Sequence, residues 1–178
     1  QAPLRAHVFQ TFFLTCLAEQ LPESRYNYGN VQRWTREAHL PNGVKNIFEL
    51  DCVLVPINQT GNHWVLMVIN MRERRLELFD SYGGSGAGYF ELVRRFLVDD
   101  HRDKLGQEID LSGWTNVVWT VPQQNNDFDC GVFMCAFASA VVRNTAITFS
   151  AADIPLLRRR MVIEILNTEL FDDPDDTE

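Results

Sequence analysis

Three apolar runs in quick succession, Cys52 to Ile57, Trp64 to Asn70 and Arg75 to Phe79, constrain this chain more than any other feature. They read as strands of one sheet, separated only by Asn58-Gln59-Thr60-Gly61-Asn62 and Met71-Arg72-Glu73-Arg74. The middle run is apolar at nearly every position, so both of its faces must be covered. The third mixes charged and apolar residues and reads as an edge or half-exposed strand.

The rest of the chain supplies the cover. From Val8 to Leu21, the residues Phe9, Phe12, Phe13, Cys16, Leu17 and Leu21 recur three or four apart, which predicts a helix ended by Pro22. A short helix is expected around Val31 to Glu37, and a turn at Pro41-Asn42-Gly43. Gly83 to Gly88 reads as a flexible turn leading into an amphipathic helix over Tyr89 to Val98, with Phe90, Val93, Phe96 and Leu97 inward. Trp114 to Val121 makes a fourth strand, and Cys130 opens a buried helix through Val142. Ser150, with Asp153 three residues on and Pro155 in the first turn, caps a last helix whose core stripe is Ile154, Leu157, Met161, Ile165 and Leu166. The expected class is α+β, a central mixed sheet flanked by helices.

Length and charge narrow the possibilities. At 178 residues and 46% hydrophobic, the chain suits a single domain with one substantial core. A net charge of -8 argues against a nucleic-acid partner and for a protein one. Five carboxylates flank Pro174 in residues 172–178, which read as a frayed acidic tail after a domain over residues 1–171. Four cysteines, at positions 16, 52, 130 and 135, are too few and too irregular for a disulfide framework and point to a reducing compartment. There is neither a signal-peptide pattern nor an apolar run long enough to span a membrane, so no membrane role is expected. The chain starts without Met, as a fragment or processed product would.

The chemistry concentrates in Gln123-Gln124-Asn125-Asn126-Asp127-Phe128-Asp129-Cys130-Gly131, a polar loop that delivers one cysteine to the first position of an apolar helix. Unpaired N–H groups and the positive end of the helix dipole favour thiolate there. A cysteine taken at random is more often a small buried hydrophobe, and the polar approach is what distinguishes Cys130. A thiolate needs a proton acceptor that titrates near neutrality. His7, His39 and His101 sit in polar or helix-edge contexts and read as surface residues, whereas His63 immediately precedes the most apolar strand. Asp80 closes the third strand; across a hairpin about Met71 to Arg74 it becomes a neighbour of His63 and can orient the imidazole. A strand-terminal Asp is otherwise usually a turn former. An oxyanion donor could come from Gln124 or its neighbour Gln123, which periodicity does not separate, together with the Cys130 backbone N–H.

His63-Trp64, Asp80-Ser81, Pro122-Gln123-Gln124 and Asp129-Cys130-Gly131, in this order, closely resemble the Ulp/SENP family of SUMO-specific cysteine proteases. Phe9-Gln10-Thr11-Phe12-Phe13, Gln32-Arg33-Trp34, Gly113-Trp114 and the stretch from Arg158 to Leu166 share the likeness, which spans residues 6 to 170. The resemblance implies a papain-like α+β fold, cleavage after a terminal Gly-Gly, deconjugation of SUMO from lysines and maturation of its precursor. It selects Gln124 as oxyanion donor, places Trp64 over the channel for the two glycines, and puts Phe12, Arg33 and Trp34 where the modifier's globular body docks. It further implies a nuclear location, extending to the cytoplasm, and a monomer that uses neither cofactor nor metal. The family's Trp-Leu-x-Asp segment precedes the point where this chain starts, and Asn126-Asp127 stands where Asn-Gly is common.

Other readings are a protease for another ubiquitin-like modifier or ubiquitin itself, and a binding module that holds the modifier without cutting it. A zinc site from Cys52, His63, Cys130 and Cys135 lacks any paired CxxC or HxxxH spacing.

Overall fold

The computed structural model describes residues 2–19 and 25–171; the acidic tail and the end of the first expected helix, Leu21 and Pro22, lie outside the described residues. A five-stranded sheet organises the molecule, in the order β1 (Ala6–Val8), β4 (Cys52–Gln59), β5 (His63–Asn70), β6 (Arg75–Phe79) and β7 (Thr115–Val118). A separate two-stranded ribbon pairs β2 (Ala18–Glu19) with β3 (Arg25–Tyr26). The sheet is mixed: β4, β5 and β6 form the antiparallel meander expected of the three apolar runs, and β1 and β7 add parallel strands at its edges.

β5 is the central strand, and Val65 to Ile69 are all buried. One face packs against α1 (Phe13–Leu17) and α2 (Ala87–Leu105), where Phe13, Leu17, Phe90, Val93, Phe96 and Leu97 meet Val53, Val55, Met67, Ile69 and Leu78. The other face packs against α3 (Cys130–Arg143) and α4 (Ile154–Asn167), with Phe133, Phe137 and Ile154 on Leu54, Leu66, Val68 and Phe79. The fold is therefore α+β, with helices on both faces of one sheet.

Several expectations are corrected. No helix runs from Val8: that residue ends β1, which pairs with β4, and a tight turn closed by Phe13 N–H on the Gln10 carbonyl leads into a helix of only five residues. The apolar spacing still brings Phe9 and Phe13 together, stacked at 3.9 Å between centroids, so the periodicity was real but spanned a turn. Between Val31 and Glu37 there are turns flanked by 3-10 segments, Tyr28–Asn30 and Glu37–His39, instead of a helix. β6 is not an edge but lies between β5 and β7, and its Glu77 is buried because Asn70 Nδ2, Arg75 Nε and Trp119 Nε1 all donate to it. Along α4, Ile154, Leu157 and Met161 face the core, but Ile165 and Leu166 are exposed. The Ser150–Asp153 capping box is formed, with a 3-10 turn, Ala151–Asp153, before the α-helix proper.

Candidate active site

The meander sets the first pair. β4 and β5 are joined by a three-residue turn whose Thr60 and Gly61 take positive φ, and His63 is the first residue of β5. β5 pairs with β6 from Asn70 opposite Arg75 to Leu66 opposite Phe79, so the register carries Asp80 to the level of Val65, two residues from His63 along the strand. Side chains at such a diagonal reach one another, and His63 Nε2 lies 2.7 Å from Asp80 Oδ1.

Asp80 is held from every side. Oδ1 also accepts the Tyr82 N–H at 2.8 Å, and Oδ2 accepts the Gly84 N–H at 2.8 Å. Burial by itself pushes this carboxyl up, but the hydrogen bonds from Tyr82, His63 and Gly84 outweigh it, so its pKa lies below the ordinary carboxylate value. An ionised carboxylate only accepts, so the proton between the two groups belongs to His63 Nε2. When the ring carries only that proton, Nδ1 is a bare acceptor, and it is buried with no hydrogen-bond partner.

The second half comes from α3. Cys130 is its first residue, buried, behind Asp129 at the N-cap. The N–H groups of the first helical positions have no intrahelical carbonyl to bond. α3 lies along β5 so that a Cβ built on Gly131 would sit 3.7 Å from Trp64 Cδ1, which brings the start of the helix to the corner where β5 begins. Arg158 of α4 donates to Asp129 Oδ1, and Asn126 Nδ2 donates to Oδ2 at 2.7 Å, so the N-cap is pinned from two elements. Asp127 does not take positive φ, so Asp in place of Gly costs no backbone strain there.

The two adjacent glutamines are separated by their partners. Gln123 spends its amide on the backbone carbonyls of Val121 and Asp80. Gln124 is buried; its Oε1 accepts the Ser81 hydroxyl, and its Nε2 donates one hydrogen bond, to the Asn126 carbonyl. A carboxamide nitrogen carries two protons, so Gln124 keeps one for another acceptor.

Phe12 is 66% exposed, Arg33 is exposed, and Trp34 is half-buried with its ring 5.8 Å from Phe13. Arg33 and Trp34 line a cleft of about 430 Å³ with His7, Gln10 and His39. His7 is no free surface residue: it is half-buried, edge-on to Phe9, and burial followed by the neighbouring His39 lowers its pKa. His101 is likewise half-buried, bonded through Nδ1 to the Gln107 carbonyl and edge-on to Phe48. The zinc set falls apart geometrically, since Cys52 pairs with Asn70 at the far end of β5 from His63, roughly 20 Å along the strand.

Residues 1–170 match the Ulp1 protease family, C-terminal catalytic domain. The chain belongs to this family. Among relatives of this Ulp1-family chain, sentrin-specific protease 2 of Homo sapiens is 37% identical over 168 residues, covering 93% of this chain and 26% of that protein. Ubiquitin-like-specific protease 1A of Arabidopsis thaliana is 35% identical over 164 residues, covering 92% of this chain and 32% of that protein. The Ulp1-family chain thus spans about a quarter to a third of the length of these relatives. Its fold is that of the C-terminal Ulp1 protease domain solved in complex with Smt3, the yeast ortholog of SUMO, at a TM-score of 0.74 and 25% identity, covering 92% of this chain and 68% of that one. The Ulp1-like SUMO protease catalytic domain of Chaetomium thermophilum gives a TM-score of 0.70 at 27% identity, covering 98% of this chain and 66% of that one. Among the described residues of this Ulp1-family chain, no helix is long and apolar enough to cross a membrane.

Sequence reasoning had no role for Ser81, Tyr82, Gly84 or Arg158. Ser81 is the buried anchor of Gln124, and Arg158 ties α4 to the residue before Cys130. Ser81 and Arg158 lay within motifs that carried the resemblance, whereas Tyr82 and Gly84 lay in none.

Proposed function

We propose that this chain is the catalytic domain of a thiol protease that cleaves after the C-terminal Gly-Gly of SUMO, releasing it from lysine isopeptide bonds and maturing its precursor. One observation carries the reading: His63 donates Nε2–H to the buried Asp80 carboxylate at 2.7 Å and keeps Nδ1 buried and unpartnered. A histidine oriented in this way, with Nδ1 bare, is arranged as a general base requires.

In this reading, Nδ1 of His63 takes the Cys130 proton and the thiolate attacks the terminal glycine carbonyl, forming a C–S bond. Gln124 Nε2–H and the Cys130 backbone N–H stabilise the oxyanion. The imidazolium gives its proton to the departing lysine nitrogen as the C–N bond breaks. His63 then deprotonates a water that hydrolyses the thioester, restoring the thiol. Trp64 covers the channel, and only residues without a Cβ lie flat beneath its indole. Phe12, Arg33 and Trp34 meet the modifier's globular body, a role supported by the exposed phenyl ring of Phe12 and by the cleft that Arg33 and Trp34 line. The protease works in the nucleus, extending to the cytoplasm.

The test is Cys130→Ser against a panel of modifiers carrying a thiol-reactive C-terminal warhead. Wild type is expected to be trapped by the SUMO probe in preference to the ubiquitin probe, and Cys130→Ser to bind SUMO without cleaving or trapping it. Equal cleavage by the two proteins would remove the nucleophile assignment, and preferential trapping of ubiquitin would remove the substrate assignment.

A further inference from the structure

Tyr82 follows the Asp80-Ser81 pair and touches both halves of the site. Its backbone N–H donates to Asp80 Oδ1 at 2.8 Å, the same oxygen that receives His63 Nε2–H. Its ring lies 4.8 Å from the imidazole, centroid to centroid, at 50°. Its hydroxyl donates to the Asn126 carbonyl at 2.7 Å. That same carbonyl is the acceptor for Gln124 Nε2–H.

The shared acceptor fixes the direction of the amide. Gln124 cannot turn over to improve its geometry, because Oε1 is held by the buried Ser81 hydroxyl and a flip would set oxygen against the Asn126 carbonyl. Its amide can only pivot about that anchor. The Asn126 carbonyl sets that pivot: one N–H is spent on it and the second is left for the oxyanion. A carbonyl oxygen has two lone pairs, and the Tyr82 hydroxyl already occupies one of them. The Tyr82 hydroxyl therefore ties down the half-buried carbonyl from which the Gln124 amide takes its direction.

We propose that Tyr82 is a positioning residue for the oxyanion donor: its hydroxyl holds the Asn126 carbonyl on which the Gln124 amide is aligned, so that the second N–H of that amide is aimed at the transition state. The role rests on the protease reading above. Its contribution belongs to the transition state and not to substrate binding, so it affects kcat and leaves KM alone.

The experiment is a double-mutant cycle on a SUMO C-terminal fluorogenic amide, with wild type, Tyr82→Phe, Gln124→Ala and the double variant, each checked by thermal unfolding. Phe keeps the ring against His63 and removes only the hydroxyl. Tyr82→Phe is expected to lower kcat by about three- to tenfold at unchanged KM. In the Gln124→Ala background the same change is expected to lower it by less than about twofold, since there is no amide left to align. An equal loss in both backgrounds, a loss confined to KM, or no loss at all would overturn this role while leaving the protease reading intact. A folded wild type that neither cleaves the amide nor reacts with a SUMO warhead would overturn the protease reading and this role with it.

Discussion

Gly84 carries no side chain, yet the geometry around Asp80 depends on it. Its N–H donates to Asp80 Oδ2, and a Cβ at this position would lie 2.6 Å from that same oxygen, closer than real Cβ atoms come. Gly84→Ala must therefore displace the carboxylate or the turn, and with it the His63 ring. The expected result is a fall in kcat of about tenfold to a hundredfold with KM little changed, measured on the fluorogenic amide; an unchanged kcat would show that the carboxylate does not set the imidazole. His63 and Asp80 could be paired from sequence because both lie on one hairpin, where alternation and a short turn set the register. Ser81 and Gln124 are 43 positions apart and meet only when α3 folds back onto the sheet, so no local pattern announced them.

At the scale of elements, α2 shows how tertiary contacts extend a local preference. The amphipathic pattern suggested Tyr89 to Val98, but the helix continues through Asp99, Asp100, His101, Arg102 and Asp103 to Leu105, where Gly106 takes positive φ and ends it. The extra turns hold the segment that carries Arg33 and Trp34: Asp99 accepts the Tyr26 hydroxyl, and the fully buried Asp100 accepts those of Thr35 and Tyr28 at 2.6 and 2.8 Å. Burial pushes the Asp100 carboxyl up, more than these hydrogen bonds and Lys104 pull it down, and its Oδ2 has no partner. A carboxyl whose native pKa is raised stabilises the fold when protonated, and that contribution is lost as pH rises through the native value. Asp100→Asn mimics the protonated group, so it is expected to match or exceed wild-type stability at pH 7 and to lose any advantage at pH 3. Urea unfolding at both values checks this, and a variant clearly less stable than wild type at pH 7 would refute it.

For the molecule as a whole, the His63–Asp80 corner and the proposed docking face are separate structures tied together by the core. Phe9 and Phe13 stack on each other and meet Phe96 edge-on, so α2, the start of the chain and Trp34 share one packed block. Phe12 projects from that block into solvent and is free to change without harming it. Phe12→Ala is expected to raise KM for a SUMO substrate about tenfold while kcat and alkylation of Cys130 by iodoacetamide stay as in wild type; an unchanged KM would place the docking surface elsewhere. The sequence alone determined the meander, the capped last helix and a cysteine at the head of an apolar helix, because short loops and side-chain period are local properties. Only the tertiary structure decided that Val8 belongs to an edge strand, that Glu77 is buried, that Gln124 and not Gln123 has a proton to spare, and that Tyr82 spans the two halves of the site. Each of these depends on which distant groups compete for the same hydrogen-bond partner or the same space, and that competition begins when the chain closes on itself.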